Sequence, residues 1–168
     1  MIFGNEAATL RPRFPSIRAF PRGLMAGLAP NSPLPTDIVV HQQSKVLELA
    51  FTDGARFRIP FELMRVRSPS AEVQGHGPGQ ETLQTGKRDV TIVAVEQVGH
   101  YALKPTFSDG HESGLFTWAY LYELGRDQDA LMRDYEEKLA AAGLDRDAPM
   151  ATKGAGGHSH GGGSCSSH

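Results

Sequence analysis

The stretch Leu103–Leu124, LKPTFSDGHESGLFTWAYLYEL, decides how the rest of the chain is read. A strand runs to Phe107. Ser108-Asp109-Gly110-His111 then makes a tight turn, with Asp to bond the backbone and Gly to supply a positive φ. An aromatic helix, WAYLYEL, follows, with Thr117 as its cap and Gly125 as its end. One imidazole, His111, is thereby placed on a constrained turn beside a helix start. Turns held by a rigid scaffold are where binding groups collect.

Working upstream, YALKPTF pairs with VTIVAVE across a four-residue QVGH loop, which sets Ala94 opposite Leu103, Ile92 opposite Pro105 and Val90 opposite Phe107. Pro105 cannot donate to a ladder, so its strand is expected at a sheet edge. An earlier hairpin is KVLELAF, TDG, ARFRI. A three-residue Thr52-Asp53-Gly54 loop pairs Leu49 with Phe57 and Leu47 with Ile59, which keeps the apolar set on one face. Ile38 and Val40 add a strand before it. Pro60 opens a short helix, FELMRVR. Ser68 to Asp89 has little periodicity and reads as a long loop, mobile or used for docking. Downstream, Asp127 caps a helix, QDALMRDYEEKLAAA, whose Leu131, Tyr135, Leu139 and Ala142 form its inner stripe and which Gly143 ends.

These elements predict an α+β fold: a small antiparallel sheet of two hairpins packed with short helices, then a C-terminal helix, with disordered ends. The expected divisions are 1–34 (extension and linker), 35–125 (the domain), 126–144 (the helix) and 145–168 (a Gly/Ser/His-rich tail). Residues 1–28 hold Arg11, Arg13, Arg18 and Arg22 among prolines and lack the unbroken apolar core of a secretory signal. Met25 stands as an alternative start.

The chain has 168 residues and a formal net charge of −2, which gives no electrostatic support for nucleic-acid binding. Its single cysteine, Cys165, permits no internal disulfide and fits a cytoplasmic setting. No apolar run long enough to span a membrane is present.

FTDGARFRIPFELMR together with VGHYALKPTFSDGHESGLFTWAYLYEL resembles the N-terminal domain of gamma-butyrobetaine hydroxylase, a small module that also occurs as a stand-alone bacterial protein. The resemblance implies a zinc-binding accessory domain, with ligands from a Cys-x-Cys-x-x-Cys motif and the histidine of Asp-Gly-His. Carried onto this chain, those positions are Ser68, Ser70, Val73 and His111. Serine hydroxyls do not ionise near neutral pH and valine has no donor atom, so a tetrahedral zinc cage is expected to be degenerate. The hydroxylase's iron chemistry needs two histidines and a carboxylate on a separate β-helix. No His-x-Asp or His-x-Glu occurs in this chain.

Three functional expectations follow. The first is a non-catalytic module that binds a partner protein. Related modules are fused to P-loop ATPases of iron–sulfur carrier type, which implies metallocofactor assembly. Lys87 and Arg88 on the long loop, and Trp118, are the interaction candidates. The second is a protein that holds or carries zinc, nickel or iron. It would use His158, His160, Cys165 and His168 on the glycine-rich tail, with His111 assisted by Glu72, His76 and Glu112. The third is an enzyme or an accessory fragment of an oxidoreductase. The glycines Gly75, Gly77, Gly79 and Gly86 before Lys87 miss the phosphate-loop spacing, and no Ser-His-acid arrangement can be read from spacing.

Overall fold

The computed structural model describes residues 32–75 and 81–150. Two three-stranded antiparallel sheets face one core. The first contains β1 (Pro35–His41), β2 (Val46–Phe51) and β3 (Arg56–Pro60) in that order. The second contains β4 (Ile92–Val98), β5 (Ala102–Phe107) and β6 (Phe116–Thr117), also in order. The expected pair of hairpins is therefore split between two sheets, each widened by one strand.

The first hairpin has the expected register: Leu49 faces Phe57 and Leu47 faces Ile59. Gly54 takes φ +87°, the left-handed position that lets the strands return without splaying. Leu47, Leu49 and Ile59 all end in the core. Pro60 then stands extended at the start of α1 (Phe61–Val66), where its missing N–H costs nothing. Every residue of α1 is buried, including Glu62 and Arg65. Fully burying a side chain such as Phe61 contributes about 2–3 kcal/mol.

The second hairpin differs from expectation. Ile92 faces Phe107, Val95 faces Pro105 and Gln97 faces Leu103, so the strands close over Gly99, His100 and Tyr101. Gly99 at φ +54° makes that turn. A bulge between Ile92 and Ala94 absorbs the extra residue. It returns Ile92 to the core side opposite Phe107 and leaves Val93 outside. The edge assignment changes too. β5 is the central strand and β4 the edge. Pro105 is tolerated because β6 pairs only with Ala102 and Leu103.

The remaining helices are α2 (Ala71–Gln74), α3 (Trp118–Arg126) and α4 (Gln128–Ala141). Thr117 caps α3 through Oγ1, which accepts from the Tyr120 N–H. Gly125 lies inside α3 rather than ending it. A Cβ there would sit 2.4 Å from Cγ of Phe57, so the glycine serves close helix–sheet packing. The Asp127 carboxylate does not cap α4; it is held by the Arg126 guanidinium. α4 ends as expected. Gly143 takes φ +66°, with the Leu144 and Gly143 N–H groups donating to the Leu139 and Ala140 carbonyls.

Two expected boundaries dissolve. Tyr135 and Leu139 of α4 belong to the common core. Residues 145–148 are docked rather than loose: Arg146 pairs with Glu62 and Glu136, and its carbonyl accepts from the Gly86 N–H. The middle of the long loop's second half is likewise packed. Gln84 and Thr85 are buried, and the Tyr135 hydroxyl donates to the Gln84 carbonyl at 2.8 Å.

Candidate functional site

The site is built on the Phe107–His111 turn. The Phe107 N–H donates to the His111 carbonyl and the Gly110 N–H to the Phe107 carbonyl. Gly110 takes φ +84°. Oδ1 of Asp109 accepts from the His111 N–H at 3.3 Å, which closes the turn locally. Its other oxygen accepts from Arg65 Nε at 2.8 Å and Lys87 Nζ at 2.7 Å. These cations outweigh the cost of burial and hold the Asp109 carboxyl below its ordinary pKa. Nη1 of Arg65 is buried without a partner among the described residues.

His111 is buried, and both ring nitrogens are taken. Nδ1 lies 2.9 Å from Glu72 Oε2 and Nε2 lies 2.8 Å from Ser68 Oγ. A carboxylate only accepts, so Nδ1 carries the proton. Burial, helped by the nearby Arg65 charge, lowers the imidazole pKa and favours the neutral ring. Nε2 is then the acceptor, and the Ser68 hydroxyl donates to it. Ser113 Oγ adds a long bond to the same Glu72 oxygen. α2 is thereby tied to the turn.

Ser68–His111–Glu72 has the connectivity of a hydrolytic triad, which spacing in the sequence did not reveal. Its serine is walled in. Ser68 is 0% exposed, and a Cβ on Gly114 would lie 2.2 Å from its Oγ. The Gly114 backbone thus covers the hydroxyl on one side. The row is a brace.

Of the positions aligned with zinc ligands, Ser68, Ser70, Val73 and His111 are all buried. The donor set does not fit a tetrahedral zinc ion. The His111 lone pair is engaged by Ser68, Ser70 Oγ is a neutral hydroxyl without a partner among the described residues, and Val73 offers no donor. Glu72 has joined His111, whereas Glu112 is exposed. Among the described residues, no cluster of three or more His, Cys, Asp or Glu side chains is arranged to hold a metal ion. His76, His158, His160, Cys165 and His168 lie outside the described residues.

The interaction candidates are engaged internally. Lys87 is bound to Asp109, and Arg88 Nε lies 3.0 Å from Asp147. Trp118 is buried and its Nε1 donates to the His100 carbonyl at 2.6 Å. Of the three, Arg88 is the one that remains exposed.

The profile of the gamma-butyrobetaine hydroxylase-like N-terminal family matches residues 38–122. The chain belongs to that family. Two NMR solution structures share its fold. One is 48% identical, covers 73% of this chain and 98% of its own, and superposes with a TM-score of 0.61. The other is 40% identical, covers 78% and 98%, and has a TM-score of 0.62. A crystal structure of a protein of unknown function from Acidithiobacillus ferrooxidans is 41% identical over 54% of this chain and 91% of that one, with a TM-score of 0.46. No curated protein matches the chain. The family match ends at Tyr122, so the last turn of α3 and all of α4 lie beyond it. No helix among the described residues is long and apolar enough to cross a membrane.

Proposed function

We propose that this family member is a non-catalytic, cytoplasmic protein-interaction module that serves metallocofactor assembly. The observation that carries this reading is the open edge of β4. Among the described residues the strand has no partner on its outer side, and Val93 at the bulge is 59% exposed. Tyr101, on the adjoining turn, is exposed as well. An unpaired strand edge with an apolar side chain is a template for strand addition by a partner. The brace at His111 supports the same view, because the position that would hold an ion in the family here stiffens the frame. The single cysteine supports a reducing compartment.

The partner class follows from the resemblance of such modules to domains fused to P-loop ATPases of iron–sulfur carrier type. Untagged chain titrated calorimetrically with an ATPase of that class should bind with a Kd of about 1 µM, the affinity of a small transient interface. Val93→Lys should weaken binding roughly tenfold without changing the fold. No heat of binding, or a Val93→Lys variant that binds as well as the parent, refutes the reading.

A further inference from the structure

A cleft of about 630 Å³ lies between the end of α1, Ser68, α2, residues 81–84, α3 and α4. Its size is that of a small-molecule site. Val73 and Leu83 line it together with Tyr120 and Tyr135. Both tyrosine hydroxyls are committed to backbone: Tyr120 donates to the Arg67 carbonyl and Tyr135 to the Gln84 carbonyl. The rings therefore offer carbon surface.

Two cations, Arg67 and Lys138, also line the cleft, and they share one carboxylate. Asp134 accepts from Arg67 Nη2 and lies 2.9 Å from Lys138 Nζ. The second acceptor for Nη2 is the neutral Leu131 carbonyl. Nε of Arg67 is buried and has no acceptor among the described residues. That Nε is closed to solvent, so a carboxylate in the cleft would meet the rest of the guanidinium, a group suited to carboxylates. Glu81 on the cleft wall is exposed and disfavours a second negative charge.

We infer that this cleft binds a small organic monocarboxylate with a flat apolar body, the carboxylate meeting Arg67 and Lys138 and the body lying among Val73, Leu83 and the two tyrosine rings. The inference does not depend on the partner-binding reading, since β4 is not part of the cleft wall.

Sodium benzoate serves as the probe, titrated into the full ¹⁵N-labelled chain, with benzamide and phenyl phosphate alongside. Benzoate should give saturable amide shifts at Val66–Ser68, Val73–Gly75 and Glu81–Gln84. Benzamide and phenyl phosphate should each bind about tenfold more weakly, the first for lack of charge and the second for its extra charge. Lys138→Gln should reduce benzoate affinity roughly threefold to tenfold and leave benzamide unchanged. Arg67→Gln should do the same. Because Arg67 also ties α1 to α4, the exposed Lys138 variant keeps the test decisive if Arg67→Gln unfolds. Shifts that do not saturate, that map elsewhere, or that are equal for benzoate and benzamide overturn the inference.

Discussion

Two turns of this molecule are nearly the same object. Phe51-Thr52-Asp53-Gly54-Ala55 and Phe107-Ser108-Asp109-Gly110-His111 share their backbone bonds. In each, the Phe N–H donates to the carbonyl four residues on, and the Gly N–H donates back to the Phe carbonyl. In each, the Asp side chain accepts from the N–H two residues on. The glycines sit at φ +87° and +84°. What differs is what stands over them. Asp53 spends its second oxygen on the Tyr122 hydroxyl at the surface. Asp109 spends it on two cations, and the residue after its glycine is a buried histidine bonded to two other segments. Local chemistry makes the turn, and long-range packing makes one of the two a site.

Replacing each aspartate with asparagine tests this most strongly. The amide keeps an acceptor for the turn and removes only the charge. Asp53→Asn should leave the denaturation midpoint close to that of the parent. Asp109→Asn leaves Arg65 and Lys87 facing a neutral group. Breaking a fully buried ion pair costs about 3–5 kcal/mol, and Asp109 keeps some solvent contact, so about 2–3 kcal/mol is expected. Urea unfolding of the two variants measures the difference. Equal losses would mean that the cations contribute nothing and that the two turns are energetically alike.

The complementary test asks for sameness. A Cβ at Gly54 or at Gly110 would meet nothing within 4 Å, so only the backbone conformation resists it. Gly54→Ala and Gly110→Ala should each cost about 1–2 kcal/mol, the penalty for an L-residue in the left-handed region. The two values should agree within a few tenths of a kcal/mol. A much larger loss at Gly110 would show that the site strains its own turn.

The same contrast explains what the sequence could disclose. Asp-Gly after alternating apolar residues announces both turns, and Leu49 against Phe57 follows because only that register keeps one face apolar. The second hairpin was less legible. Val90, Ile92, Val93 and Val95 put apolar residues on both parities, so alternation could not reveal the bulge that shifts its register. Gly125 reads as a helix end from its position alone; its reason is Phe57, far upstream. His111 stands out in the sequence, but Ser68 and Glu72 lie 43 and 39 residues before it, across a segment without periodicity. No local pattern connects them. The aligned family positions name Ser68, though as a lost ligand rather than as the donor that now engages the ring, and Glu72 enters as a metal donor beside His111 rather than as its hydrogen-bond acceptor. The cleft between the end of α1 and α4 was invisible for the same reason, since its walls come from segments far apart in the chain.

The smallest expected effect is the pH dependence that separates the turns. His111 is held below its ordinary pKa of 6.5 in the folded chain, mainly by burial. The unfolded chain therefore takes up the proton more readily. Stability that is present above pH 6.5 is lost as the pH falls through that value toward the depressed folded pKa. Asp109 acts in a lower window. Its folded pKa lies below 3.8, so its contribution is intact at neutral pH and is lost as the pH falls through 3.8 toward that lower value. Asp53 is also held below 3.8, so the low window is common to both turns, whereas the window below 6.5 belongs to the His111 turn. Denaturation midpoints between pH 7.5 and 5 should decline in the parent and decline less in His111→Gln, whose amide cannot take up a proton. A parent midpoint that rises on acidification over that range would mean that the Glu72 pairing, which raises the imidazole pKa, outweighs burial. The brace would then be a charged pair rather than a neutral relay.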